Sequence, residues 1–300
     1  MDTPRHDPVT AFVVGVIAIA LFSGMDAVMK GLVLSIGAFT TMFWRNLVGV
    51  GMSGALYLPR ARAWPPLPTM KIHIARGVLS TVMGFLFFWG IGRVPLAQAI
   101  ALAFIAPLVA LYLAAALLHE RVGPRTIAAS LIAFAGVIVI LFGQAKADLG
   151  REAMLGSLAI IGSALCYAMN IILMRRQSLV AEPIEIAFYQ SVVVVLTLAA
   201  VLPIVGVSLP PLGEWPELLL AAFLAISSLL LLSWAYARAQ ASYLAATEYT
   251  SFLWAALFGW LIFAEPLSPF TVAGACLIVA GCVLAARRPE EASPTLEVAT

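Results

Sequence analysis

The chain has 300 residues, of which 63% are hydrophobic and 11% charged, with a mean hydropathy of +1.03 and a formal net charge of +2. Soluble domains carry about 25% charged residues, so this composition excludes a soluble domain and places the chain in a lipid bilayer. The small net charge offers no basic surface for nucleic acid, and Cys166, Cys276 and Cys282, each alone in an apolar run, give neither a disulfide framework nor zinc-ligand spacing.

In chain order, ten segments are apolar and long enough to cross a core of about 30 Å as helices. They are residues 10–30, 38–58, 74–92, 97–118, 124–142, 154–174, 184–203, 216–236, 242–263 and 270–286. Barrel strands would alternate in polarity and be about half this length, so the predicted fold is an all-α integral membrane protein. The first segment follows a leader with Pro4, Pro8 and two aspartates, a poor signal peptide, and is read as a retained helix. The connections are short and punctuated by Pro59, Pro65-Pro66, Pro95, Gly123-Pro124, Pro183, Pro210-Pro211 and Pro269.

Orientation follows from the bias of Lys and Arg between alternate connections. Twelve fall on the side of the N terminus and four on the other. A multi-pass protein of the cytoplasmic (inner) membrane with both termini cytoplasmic is expected.

The second half repeats the first. At a shift of 145 positions Trp89 meets Trp234, Arg93 meets Arg238, Glu120 meets Glu265, Pro124 meets Pro269 and Gly136 meets Gly281. Phe43-Trp44-Arg45-Asn46 likewise meets Phe188-Tyr189-Gln190-Ser191, whereas Met25-Asp26 sits over Met169-Asn170 one residue short of that shift. Paired Trp, Arg, Glu and Pro at one shift indicate an internal duplication. The expected layout is a cytoplasmic segment 1–9, a first repeat 10–143, a second repeat 154–286 and a cytoplasmic tail 287–300. Five helices per repeat is an odd number, so the second repeat enters the membrane upside down. Inverted repeats place a site between the halves and allow alternating access, which is the architecture of a secondary transporter.

These residues resemble the drug/metabolite transporter superfamily, in its ten-helix EamA branch. The resemblance covers roughly residues 10–288 and rests on Phe43-Trp44-Arg45, the Pro107 run, Glu120…Pro124 with its echo Glu265…Pro269, and the Gly136 and Gly281 endings. It implies two inverted five-helix repeats, a central cavity and export or exchange of small metabolites; the YddG-type exporters of aromatic amino acids belong here. Asp26-Ala27-Val28-Met29-Lys30, with His73 to Arg76 before the third segment, is also similar to the branch of S-adenosylmethionine transporters.

Ionisable residues inside a bilayer cost about 2.5–3.5 kcal/mol each at its centre, so they mark function or pairing. Asp26, Arg45 and Glu248 stand out. Arg45 and Glu248 differ by about 10 Å in depth at 1.5 Å per residue, so Asp26 is the better partner for Arg45. That pair either locks the first two helices or lets Arg45 take a substrate carboxylate. Asn170 and Gln190 are its neutral counterparts, and Lys30 is expected to pair with Asp26 at i, i+4 near the membrane edge. Glu248 is expected to bind a substrate ammonium or carry a coupling proton. Tyr249, Trp254, Trp44, Trp89 and Tyr167 are further candidates for the cavity wall, while Glu120 and Glu265 are expected to cap turns. Gly51, Gly84, Gly136 and Gly281 are expected to let helices approach. Pro107 is expected to be a hinge in one half only, since its counterpart is Phe252.

A phosphate loop GxxxxGK[ST] and an HExxH motif are both absent from the sequence. The three histidines are placed near membrane edges, which argues against intramembrane metal or serine-protease chemistry. The reading is a non-enzymatic carrier without cofactor or metal, probing a small-molecule substrate and protons from within the lipid bilayer, with no oligomer required. Amino acids, aromatic or hydrophobic ones favoured, are the expected cargo, and export the expected direction. S-adenosylmethionine-type metabolites or organic cations are the alternative within the class, a channel or lipid-handling protein the one outside it.

Overall fold

The computed structural model describes residues 8–60, 64–106, 108–109, 112–113, 124–146, 150–236, 238 and 247–286. Its α-helices are α1 (Pro8–Ile36), α2 (Ala38–Tyr57), α3 (Leu67–Ile91), α4 (Leu96–Ala103), α5 (Pro124–Lys146), α6 (Gly150–Ser178), α7 (Pro183–Val205), α8 (Trp215–Tyr236), α9 (Thr250–Phe263) and α10 (Pro269–Ala286). Among the described residues no strand occurs. Val9–Ile36, Leu67–Ile91, Gly150–Met174, Pro183–Val205 and Leu212–Ala235 are by length and composition able to cross a membrane.

Two bounds differ from expectation for one reason. α1 continues to Ile36, where Gly37 (φ 80) turns the chain into α2, and α3 starts at Leu67 behind Pro66. Hydropathy discounts charged stretches, whereas a helix buries polar groups wherever a neighbouring helix supplies partners. His73 and Arg76 therefore lie inside α3 and are buried, not at a rim before it.

The pattern of helix contacts has the symmetry of an inverted repeat. Exchanging α1–α5 with α6–α10 turns the α1–α8 packing into α6–α3 and the α2–α8 packing into α7–α3, and all four occur. It turns α1–α9 into α6–α4, again both present, and leaves α2–α7, α4–α9 and α5–α10 unchanged on the pseudo-two-fold axis. Individual residues obey it. Arg93 lies 3.5 Å over Trp89 and donates to the Trp89 carbonyl; Arg238 lies 4.1 Å over Trp234 and donates to the Trp234 carbonyl. Ser163 Oγ on α6 donates to Met83 O on α3, and Ser228 Oγ on α8 donates to Ala18 O on α1.

Small residues set the closest crossings. A Cβ added at Gly136 would lie 2.6 Å from Gly274 O, and one at Gly90 would lie 2.5 Å from Ile160 Cγ1, so α5–α10 and α3–α6 touch backbone to side chain. Gly84 packs on Met42 and Gly281 is buried, as expected of packing positions. Gly51 is not one: it is exposed, with nothing within 4 Å of its added Cβ.

Pro107 lies outside the described residues. Just before it α4 loosens, with Phe104 and Ile105 donating to Ala101 and Leu102 in i→i−3 bonds. The helix is interrupted at Tyr249 in the other half too, where Thr250 and Ser251 hydroxyls bond back to the Thr247 and Glu248 carbonyls. Phe104 and Tyr249 are repeat mates, and their rings meet edge to face at 5.7 Å.

Candidate functional site

The bundle has two ends, named here for Gly37 and Tyr57. At the Gly37 end Lys30 is buried and does not pair with Asp26. Its ammonium pairs with Glu265 Oε1 and donates to Val94 O at 2.6 Å, with the Phe263 ring beneath it. Glu265 Oε2 accepts the Leu96 N–H at 2.8 Å, capping α4. Ala264, in the left-handed conformation (φ 51), turns the chain so that Glu265 reaches back between α1 and α4. One carboxylate thus ties α1, α4 and the α9–α10 turn together, while elsewhere at this end an open pocket of about 650 Å³ is lined by Gly37, Phe39, Phe85, Trp89 and Ser208. Beside that carboxylate lies a pocket of about 220 Å³ whose polar lining includes Gln98, Glu265, Ser268 and Thr271.

Asp26 is buried deeper in α1, and neither carboxylate oxygen has a hydrogen-bond partner; Ser23 Oγ and Arg45 Nε are likewise buried and unsatisfied. Arg45 and Asp26 are within electrostatic reach but form no ion pair, and Arg45 Nη1 donates instead to Asn46 at 3.2 Å. Buried polar atoms left without partners on neighbouring helices are uncommon in folded proteins, and these make the Asp26–Arg45 layer a candidate site. Gln190 is half-buried on α7.

The space between the halves is read from two matching stripes. On α1 the positions Ala11, Gly15, Ala18, Met25, Met29 and Leu32 recur at three and four residues and are buried. Phe22 falls within that stripe yet is 45% exposed. On α6 Gly156, Ile160, Ser163, Asn170 and Gln177 form the same stripe, facing α3, and Tyr167 within it is 38% exposed. Phe22 and Tyr167 are repeat mates at 145 positions. Both are exposed within otherwise buried stripes, while Leu158, Leu165 and Met169 are exposed at other positions of α6. Beyond them the symmetry breaks: Met29, toward the Gly37 end, is fully buried, whereas its mate Met174, toward the Tyr57 end, is 39% exposed. The stripes keep one shift throughout, so Asn170 occupies the position of Met25; the one-residue slip that pairs it with Asp26 is not upheld.

Toward the Tyr57 end, between α3, α6 and α7, lies a polar network that the sequence reading missed. Arg76 Nε donates to Asn170 Oδ1 at 3.1 Å and its Nη1 to Gln177 Oε1. Gln177 Nε2 contacts His73 Nδ1 at 2.6 Å, and His73 Nε2 contacts Glu185 at 3.0 Å. Tyr189 stacks on the His73 ring at 4.7 Å, with Tyr57 and Phe188 against Tyr189. The available signal was periodicity, because His73, Arg76 and Ser80 share one face of α3 while Ile74, Val78 and Val82 occupy the opposite one. Counting Arg76 as a loop charge hid it.

Other predicted residues fall elsewhere. Trp89 is held under Arg93 at the Gly37 end, where it lines the pocket of about 650 Å³. Trp44 donates from Nε1 to Ser208 O at 3.0 Å and packs on Trp215, so it anchors the α7–α8 connection. Trp254 stacks on Phe258 and keeps a buried, unsatisfied indole N–H. Glu248 is exposed, just before α9, within electrostatic reach of Tyr167. Among the described residues no group of three His, Cys, Asp or Glu is placed to hold a metal.

Comparison with known proteins agrees with the fold. The model of the EamA-like transporter family matches residues 9–142 and 154–287. The chain is 27% identical over 274 residues to the pseudopaline exporter CntI of Pseudomonas aeruginosa (strain UCBPP-PA14), covering 91% of this chain and 94% of that one. It is 28% identical over 216 residues to a riboflavin transporter of Rhizobium johnstonii, covering 72% and 70%. A solved crystal structure superposes with TM-score 0.62 at 20% identity, over 93% of this chain and 98% of its own.

Proposed function

Since the chain belongs to the EamA-like transporter family, a family of membrane carriers and not of enzymes, we propose that it exports amino acids, or similar small metabolites, by alternating access. The observation that carries the reading is the pair of repeat mates Phe22 and Tyr167, exposed within otherwise buried stripes, with Lys30, Glu265 and the α4 terminus tied together nearer the Gly37 end. Exchange of the conformations of two inverted halves would expose such a shared space to either side in turn. The basic connections lie at the Tyr57 end, which makes that end cytoplasmic and the Gly37 end external, in the inner membrane. Aromatic walls and the unsatisfied Asp26–Arg45 layer favour a zwitterionic substrate with an apolar part. The relative that exports pseudopaline supports outward movement. Glu248 and Asp26 are the groups for a coupling proton.

The test uses purified protein in liposomes loaded with radiolabelled amino acids, S-adenosylmethionine, riboflavin and an organic cation, with and without a proton gradient. Saturable, protein-dependent amino acid flux is expected, accelerated by the gradient and reduced in Glu248→Gln. Flux of another panel member alone overturns the cargo, and conductance at channel rates overturns alternating access.

A further inference from the structure

We propose that Arg76 is the carboxylate anchor of an α-amino-acid head-group site, with the Tyr167 ring beside it and Glu248 receiving the ammonium. The inference rests on the amino acid reading above and replaces Arg45 as the cation that would hold the substrate.

Depth comes first. At 1.5 Å per residue from the Gly37 end of each helix, Phe22, Arg76, Tyr167 and Glu248 lie about 21 to 26 Å down, whereas Arg45 lies about 10 Å down. One substrate head group spans a few ångströms, so it can touch Arg76 and Glu248 together but not Arg45 and Glu248.

Charge comes second. Arg76 is buried, yet the oxygens it contacts are neutral amides, those of Asn170 and Gln177. No carboxylate lies within 4.0 Å of it among the described residues. A buried guanidinium is stabilised far better by an anion than by amide oxygens, and its planar fork matches a carboxylate. The amides orient it without cancelling its charge. Gln177 is itself oriented, because its NH2 group is taken by His73 and its oxygen therefore faces Arg76. Three side chains, Asn170, Gln177 and His73, are thus spent on holding a positive charge that has no carboxylate within 4.0 Å among the described residues.

Access comes third. Asn170, which Arg76 touches, is one helical turn from Tyr167, and Tyr167 is exposed within an otherwise buried stripe. The Tyr167 hydroxyl is within electrostatic reach of both Arg76 and Glu248. Glu248 is exposed.

The test measures flux and ligand-induced thermal stabilisation for the full-length protein with four probes. These are L-phenylalanine, L-phenylalaninamide (no carboxylate), 3-phenylpropionate (no ammonium) and phenethylamine. Wild type is expected to prefer phenylalanine to its amide by at least about tenfold, the effect of one lost charged hydrogen bond. Arg76→Gln, which keeps donors toward Asn170, is expected to raise KM for phenylalanine and bring that ratio close to one, with Arg76→Lys intermediate. Glu248→Gln is expected to erase the preference for phenylalanine over 3-phenylpropionate instead. If Arg76 only ties α3 to α6, Arg76→Gln lowers melting temperature and depresses all probes equally, leaving the ratio intact; that result overturns the inference while amino acid transport stands. Equal stabilisation of wild type by phenylalanine and its amide overturns it also. Absence of any amino acid flux removes the transport reading, and the binding ratios still decide whether Arg76 recognises a carboxylate.

Discussion

Replacing Glu265 by Gln should open the Gly37 end. The side chain keeps its shape and can still accept the Leu96 N–H, but the buried Lys30 ammonium loses its counter-charge. Breaking a buried ion pair costs about 3–5 kcal/mol, and the lower end applies because the Glu265 carboxylate is partly exposed. Since the pair ties α1, α4 and the α9–α10 turn, that cost falls on the closed arrangement of this end. About 3 kcal/mol shifts an open-to-closed ratio by roughly a hundredfold. The assay is the labelling rate of Gln98→Cys, in a background with Cys166, Cys276 and Cys282 replaced, by a membrane-impermeant maleimide added externally. Gln98 is buried beside Glu265, so its rate reports opening. The expected rise is at least tenfold. Lys30→Met combined with Glu265→Gln should return the rate toward the parent value, since both charges are gone. An unchanged rate in Glu265→Gln, or a double variant whose effects simply add, would refute the latch.

Three further outcomes follow from the packing. Gly274→Ala puts a Cβ 2.6 Å from Gly136 O and 2.4 Å from Ile140 Cγ1, so a loss of about 1–3 kcal/mol or more is expected, read as a lower melting temperature in detergent. Gly51→Ala meets nothing within 4 Å and should stabilise by up to about 1 kcal/mol through helix propensity. Phe22→Ala and Tyr167→Ala, whose rings are exposed within otherwise buried stripes, should lower flux several-fold while moving the melting temperature less than Ile160→Ala, a fully buried position expected to cost about 2–5 kcal/mol.

Sequence alone determined the solvent, the helix count and the duplication. Each is written in local composition or in residues at a constant shift, and neither requires knowing which helix touches which. The cation–π pairs at Trp89–Arg93 and Trp234–Arg238 were visible as repeated letters because both partners lie one turn apart on one helix. The Lys30–Glu265 latch was not legible, because its partners are 235 residues apart and an i, i+4 aspartate offered itself nearer by. Asp26 lost that competition since the fold turns Lys30 to the α4 terminus, where its ammonium donates to the Val94 carbonyl and the Leu96 N–H donates to the Glu265 carboxylate. Likewise Arg76 read as a loop charge because hydropathy penalises it, while the fold surrounds it with amides from α6. Tyr167 was a candidate for the cavity wall by its ring alone; only the fold decided that it and its mate Phe22 are exposed within otherwise buried stripes. Helix identity is a local property of the chain, whereas the partner of a buried charge and the side on which packing fails are set by how the inverted halves meet.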